Sequence, residues 1–294
     1  MSAPCGICGS MKGAPWLNRG QWLYRCCAEC AAIWLDPLPD GDWADTFYDL
    51  GYFAGGGRGG YRDYLADEVQ HRSNARARAA LARRFGATPP AIWLDVGCAT
   101  GFTLDEARKA GFTVRGVELS AWARGVASER FGLNVLPTLH AARRELPHQA
   151  DVVSFFQVLE HLRNPIAALR DAHACLRPNG LLIIETWDRS SFVARLLGRY
   201  WHQITPPSVL WLLGRKNLEL ALERTGFRPQ RIVRGRKSVS VGWVLGILAD
   251  KVPRVFEPAL RALAGSGLQR LEISYGLGDL VFVIATVDSS EPIR

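Results

Sequence analysis

Two groups of residues have types and spacings that do chemistry. Cys5 and Cys8 form one Cys-x2-Cys pair, and after eighteen intervening residues Cys27 and Cys30 form another. Four thiolates so placed suit a tetrahedral Zn²⁺ ion, and a four-sulfur site leaves no position open for water or substrate, so the metal implied is structural. Gly6 and Gly9 would let backbone N–H groups turn toward the sulfurs and offset their charge. Cys26 would make a Cys-x3-Cys pair and is the spare. The second group is Leu94-Asp95-Val96-Gly97-Cys98-Ala99-Thr100-Gly101. A glycine-rich turn between a strand and a helix can hold a dinucleotide, a phosphate, another nucleotide or nothing. The third glycine of the hydride-transfer fingerprint is absent here, and so is the Gly-Lys-Ser/Thr ending of a phosphate-binding P-loop.

The elements that must position these residues follow from the pattern. The apolar run Ile92-Trp93-Leu94 predicts a strand over 91–96, and the following residues predict a helix over 102–110 closed by Gly111. Further strands are expected at 113–118, 133–136, 151–156 and 180–186, with helices at 121–131 and 165–176 capped by Ser120 and Asn164. Pro165 suits the first helical turn, and Pro178-Asn179-Gly180 punctuates the end of that helix. This alternation calls for a parallel sheet with helices on both faces, an α/β fold. Residues 61–85 read as a charged amphipathic helix ended by Gly86 and Pro89-Pro90, preceded by an aromatic and acidic stretch from Pro37 and a flexible "GGGRGG" loop at 55–60, a boundary and a lid. After Glu185 the pattern loosens until a helix at 216–225 and strands near 229–234 and 279–287, with an insertion at about 236–276 between those two.

The composition fits a globular protein. The chain has 294 residues, 48% of them hydrophobic, and a net charge of +8 from 36 Lys and Arg against 28 Asp and Glu. That length makes one large domain or two modest ones, and disorder is not the default. No run of about eighteen apolar residues would span a bilayer, and the first ten residues lack the charged-then-apolar order of a secretory signal, so the expected location is cytoplasmic. Five of the seven cysteines fall in the first thirty residues, which in a reducing compartment favours metal over disulfides. The cysteine segment has little core of its own, so metal would supply much of its folding energy; it could touch nucleic acid, shape a pocket or brace the larger domain.

The turn resembles the first motif of the class I S-adenosylmethionine-dependent methyltransferases, Asp/Glu-x-Gly-x-Gly-x-Gly, with Ala99 in place of the middle glycine. A small residue there still lets the backbone approach the methionine part of the cofactor, provided its φ is negative. Glu118 in "VRGVELS" matches the carboxylate that receives both ribose hydroxyls. "ADVVSFFQVLEHLRNP" at 150–165 and "CLRPNGLLIIET" at 175–186 are similar to the fourth and fifth strand motifs of ubiquinone-pathway O-methyltransferases and zinc-ribbon sugar C-methyltransferases. The resemblance covers residues 90–190 and, more loosely, the cysteine-rich start and "FYDLGYF". It implies a Rossmann-like seven-stranded sheet with helices on both faces, preceded by a small zinc-ribbon module. The domains would be a ribbon at 1–45, a linker, lid and helix at 46–90, and a cofactor domain at 91–294.

On this reading Asp95, Gly97, Cys98, Ala99, Gly101, Glu118, Leu119 and Gln157 bind S-adenosylmethionine, and Cys5, Cys8, Cys27 and Cys30 bind zinc. No residue after the third strand matches the polar group that touches adenine in related chains, so backbone amides or Leu119 must serve. Related chains also carry a histidine after a Pro-Pro pair where this one reads Pro206-Pro207-Ser208-Val209. Methyl transfer to oxygen or carbon needs positioning and removal of a proton. The candidate bases are His161 and Glu160 in "VLEHL" and His202 in "RYWHQITPP". Tyr48, Tyr52, Phe53 and Trp201 are candidate pocket walls.

From Arg228 to Glu272 nine Lys or Arg face three Asp or Glu, a net +6 interleaved with apolar residues. Such a segment suits an anionic lipid surface, which would place the protein peripherally at the inner face of the membrane, a dimer face or a cover over substrate. The function expected is methyl transfer to a small molecule or carrier-linked intermediate of sugar, quinone or secondary-metabolite type, O-methylation ahead of C- or N-methylation. An RNA methyltransferase using the ribbon and the basic surface, or an inactive zinc-ribbon interaction protein, are the alternatives.

Overall fold

In a computed structural model, residues 4–55, 60–61, 63–251, 253–263 and 266–288 are described. Most of the "GGGRGG" loop lies outside them. Seven runs of alternating or continuous apolar residues form one sheet: β1 (Ile92–Val96), β2 (Thr113–Val117), β3 (Val135–Leu136), β4 (Ala150–Phe156), β5 (Leu176–Trp187), β6 (Phe227–Arg234) and β7 (Leu280–Val287). Their order is β6-β7-β5-β4-β1-β2-β3. The first five are parallel, but β7 runs antiparallel to both β5 and β6, so the sheet is mixed where a parallel one is expected.

The helices are α1 (Glu68–Arg84), α2 (Phe102–Lys109), α3 (Ala121–Phe131), α4 (Leu139–Glu145), α5 (Pro165–Cys175) and α6 (Arg215–Glu223). They cover both faces, and strand alternation divides the core between them. Trp93, Val152, Ile183 and Ile284 pack with Ala79 and Ala82 of α1 and Ala107 of α2. Their neighbours Leu94, Val153, Leu182 and Val283 pack on the other side with Ala142, Leu169, Leu218 and Leu222. Ser120 and Asn164 accept the N–H groups of Ala123 and Ala167, as helix caps should. β1 lies between β2 and β4, where the strand order reverses, the place at which open α/β sheets bind ligands beyond the carboxyl ends of their strands.

Three boundaries differ from expectation. β5 starts at Leu176, so Pro178-Asn179-Gly180 lies inside a strand; the register against β4 slips there and Asn179 takes φ 59°, a bulge that absorbs the turn residues. The helix expected over 61–85 begins at Glu68. β3 is two residues long, and α4, capped by Thr138, occupies part of a stretch in which no helix is expected.

The cysteine-rich start forms strands Gly13–Arg19, Trp22–Cys27 and Ile33–Leu35, and Trp211–Leu212 pairs with the last of them. A segment between β5 and α6 therefore completes the ribbon's sheet. Ile7, Tyr24, Ile33 and Leu35 share one hydrophobic core with Leu94 and Leu182 of the large sheet, and Trp34 stacks on Trp211.

The insertion is closed at its base by the pair Lys237–Ser240 and Glu272–Tyr275 and carries α7 (Val241–Lys251) and α8 (Pro253–Ala262). No helix among the described residues is long and apolar enough to cross a membrane.

Candidate functional site

The turn after β1 is held from both sides. Gly97 and Cys98 donate their N–H groups to the Val117 carbonyl at the end of β2. Gly97 has φ 72° and a Cβ there would lie 2.4 Å from Val158; Gly101 has φ 87° and a Cβ would lie 2.6 Å from Leu133. Both positions therefore need glycine for conformation and for space. Ala99 takes φ 48°, the left-handed region, where a negative value is expected. Its N–H donates to Glu118 Oε2 at 2.9 Å, a bond that holds it there. The other oxygen of Glu118 accepts the Ser120 N–H at 2.8 Å. Each oxygen keeps a second lone pair, so the carboxylate can brace the turn and still receive hydroxyls.

Two expected cofactor contacts point elsewhere. The Cys98 side chain packs inward with Leu104, Ala127 and Leu133, which leaves only its backbone for a ligand. Asp95 is buried and accepts a hydrogen bond from Ser154 Oγ, itself bonded by the Trp93 indole. Burial pushes its carboxyl up to about 7. Leu119, half-buried, follows Glu118, and its carbonyl accepts from Arg124.

The loop after β4 brings the second group together. Gln157 takes φ 58°, and its side chain is fixed by Glu185 Oε1, 2.6 Å from Nε2. Glu185 is buried and ion-paired to Arg78 of α1 at 2.8 Å. Glu160 is buried and does not line the cavity described below, since its 3₁₀ turn aims it into the fold. Its carboxyl is raised, chiefly by desolvation. His161 lies 2.6 Å through Nδ1 from the Ser208 carbonyl oxygen. A carbonyl only accepts, so Nδ1 carries the proton and Nε2 is left as a lone pair.

His161, Gln157 and His202 line a cavity of about 620 Å³, together with Tyr52, Trp187 and residues of the insertion. His202 packs its edge on Trp187 and lies 3.9 Å from Asp279 Oδ2. Of the expected wall residues Tyr52 is in place, Tyr48 packs edge-on to His161, and Phe53 stacks near Trp122. Trp201 instead is buried against Asp279. Sequence reasoning missed Arg78, Glu185 and Lys237. Arg78 lies on a helix read only as charged and amphipathic, and Lys237 lies in a segment read for its bulk charge and interleaved apolar residues.

In the cysteine-rich start the Sγ atoms of Cys5, Cys8, Cys27 and Cys30 all lie within 4.8 Å of one another, with Cys5 and Cys30 3.7 Å apart and Cys8 and Cys27 3.5 Å apart. Sulfurs about 2.3 Å from a central Zn²⁺ would be roughly 3.8 Å apart, so the set fits a tetrahedral ion. Burial pushes the Cys5 thiol up to about 11, and a cation is what would hold such sulfurs as thiolates. Cys26 stands outside the cluster. Asn217 of α6 and Arg224, the residue that follows the helix, clasp the ribbon: Asn217 donates to the Cys30 carbonyl at 2.6 Å and Arg224 to the Ile7 carbonyl at 3.1 Å.

A methyltransferase domain family matches residues 69–231. The chain belongs to that family. Among curated relatives, this chain is 32% identical over 154 residues to a ubiquinone biosynthesis O-methyltransferase of Ruegeria pomeroyi, covering 46% of this chain and 62% of that one. It is 31% identical over 103 residues to the protein of the same name from Pseudomonas fluorescens, covering 33% and 44%. The chain thus spans about half the length of the curated relatives it matches. Magnesium protoporphyrin IX methyltransferase of Synechocystis, solved with bound SAH, aligns over 84% of this chain and all of that one, at TM-score 0.53 and 15% identity, and shares the fold.

Proposed function

We propose that this methyltransferase uses S-adenosylmethionine to methylate a small-molecule or carrier-linked acceptor, with oxygen as the receiving atom ahead of carbon or nitrogen. The observation that carries the reading is the continuity of two sites: Val158, which packs on Gly97 of the turn, belongs to the loop whose Gln157 and His161 line the cavity. When bound, the cofactor supplies an electrophilic methyl group. The backbone of Gly97, Ala99 and Gly101 approaches its methionine part, Glu118 receives the ribose hydroxyls, and Leu119 and Gln157 border it. Across the cavity His161, held by Ser208, takes the acceptor proton at Nε2. His202, which also lines the cavity, is the second candidate base. A cavity of this size suits a small acceptor better than RNA.

The four cysteines would hold a structural Zn²⁺ that keeps the ribbon folded. The insertion supports a further reading, contact with an anionic bilayer: Val255, Leu268, Leu271 and Leu277 are exposed there beside its excess of Arg and Lys. Sedimentation with vesicles containing phosphatidylglycerol tests that contact. Incubation with methyl-labelled S-adenosylmethionine and a panel of phenols, sugar nucleotides and RNA tests the activity. Label on a small hydroxyl acceptor is expected, lost in His161→Ala, and label on RNA alone would contradict it.

A further inference from the structure

The cavity contains a cation that the reading above does not use. Lys237 lines it, at the base of the insertion. Its Nζ donates to Gln157 Oε1 at 3.0 Å and lies 5.8 Å from the centre of the Trp243 ring. Among the described residues no carboxylate comes within ion-pair distance of it. Glu185, the strongest acid nearby, has its charge matched by Arg78. Glu160 and Asp67 are both raised by burial, which weakens them as counter-ions. His161, His202, Asp63, Arg270, Tyr52 and Tyr61 are the other titratable residues that line the cavity. Desolvation brings Lys237 down to about 8.

The direction of this ammonium is set from the core outward. Arg78 fixes Glu185, Glu185 takes the Nε2 donor of Gln157, and the amide must then turn Oε1 toward Lys237. One of the three N–H donors of Lys237 is used, and the others remain for whatever fills the cavity. A cation out of water without a counter-ion is costly, and an anionic ligand removes that cost.

We propose that Lys237 is the anion-binding residue of the acceptor chamber, holding an ionised oxygen of the methyl acceptor beside Gln157. The role rests on the methyl-transfer reading. It makes the preferred acceptor one whose hydroxyl ionises readily, the proton passing to His161 Nε2 and the oxygen keeping the electron pair beside Lys237.

The test uses 4-nitrophenol, whose visible absorbance reports ionisation, with benzoate as a competing carboxylate. Wild-type protein is expected to bind the phenolate and to lower the probe's apparent pKa by about one unit or more, the scale for an opposite charge in contact. Lys237→Met should abolish the displacement and weaken binding roughly tenfold, while Lys237→Arg should keep part of both. Displacement by benzoate at comparable concentration would mean that the site takes oxygen anions generally, whereas indifference to benzoate would assign it to ionised hydroxyls. Absence of probe binding, or an unchanged displacement in folded Lys237→Met, would overturn the proposal. Calorimetry with S-adenosylhomocysteine on the same samples keeps the two readings apart: its binding without a Lys237 effect sinks only this inference, and its failure in wild-type protein sinks the methyl-transfer reading.

Discussion

At the scale of single residues, the candidate site sets carboxylates apart by their surroundings. Glu118 accepts two backbone N–H groups, while Asp95 has one hydroxyl donor; burial raises both. Glu118→Ala is expected to weaken S-adenosylhomocysteine binding by roughly 1.5–3 kcal/mol, the scale of hydrogen bonds to a charged group, as calorimetry would measure. Asp95 predicts a pH effect. Its folded pKa of about 7 exceeds the unfolded value near 4, so folding holds a proton that the unfolded chain releases. The stability so conferred is full below about pH 4 and is lost as the pH rises through about 7. Urea unfolding of Asp95→Asn between pH 4 and 8 should therefore vary less with pH than that of the wild type; equal slopes would refute this origin.

At the scale of elements, the turn after β1 stores strain at Ala99. Left-handed alanine costs about 1–2 kcal/mol, so Ala99→Gly should raise the urea midpoint if the Glu118 contact survives. Gly97→Val and Gly101→Val should do the reverse and lose S-adenosylhomocysteine, because Val158 and Leu133 occupy the space a side chain needs. The strand-turn-helix unit was legible from Ile92 to Gly111 because its signals are local: an apolar run, paired glycines and a closing glycine. Ala99's positive φ was not, since a carboxylate 19 residues away imposes it. The bulge at Asn179 misled for a related reason, turn residues being as compatible with an irregular strand as with a loop. Cys98 and Glu160 are buried although both were expected at the site, because residue type does not tell which way a side chain faces.

At the scale of the whole molecule, the ribbon and the loop that carries His161 are coupled. Tyr24 donates to the Val209 carbonyl and Leu35 to the Leu210 carbonyl, so the ribbon anchors the segment whose Ser208 orients His161. Neither link could be read from spacing, because Trp211–Leu212 lies about 180 residues from its partner strand. Stripping the metal with a chelator should therefore depress methyl transfer more than S-adenosylhomocysteine affinity; an equal loss of both would indicate general unfolding. The central claim is that the turn from Asp95 to Gly101 holds S-adenosylmethionine. Its most direct test is calorimetric titration of metal-assayed protein with S-adenosylhomocysteine and, separately, with NADH. Micromolar binding of the first alone is the expected result, whereas binding of NADH instead, or of neither ligand by folded protein, would contradict the account.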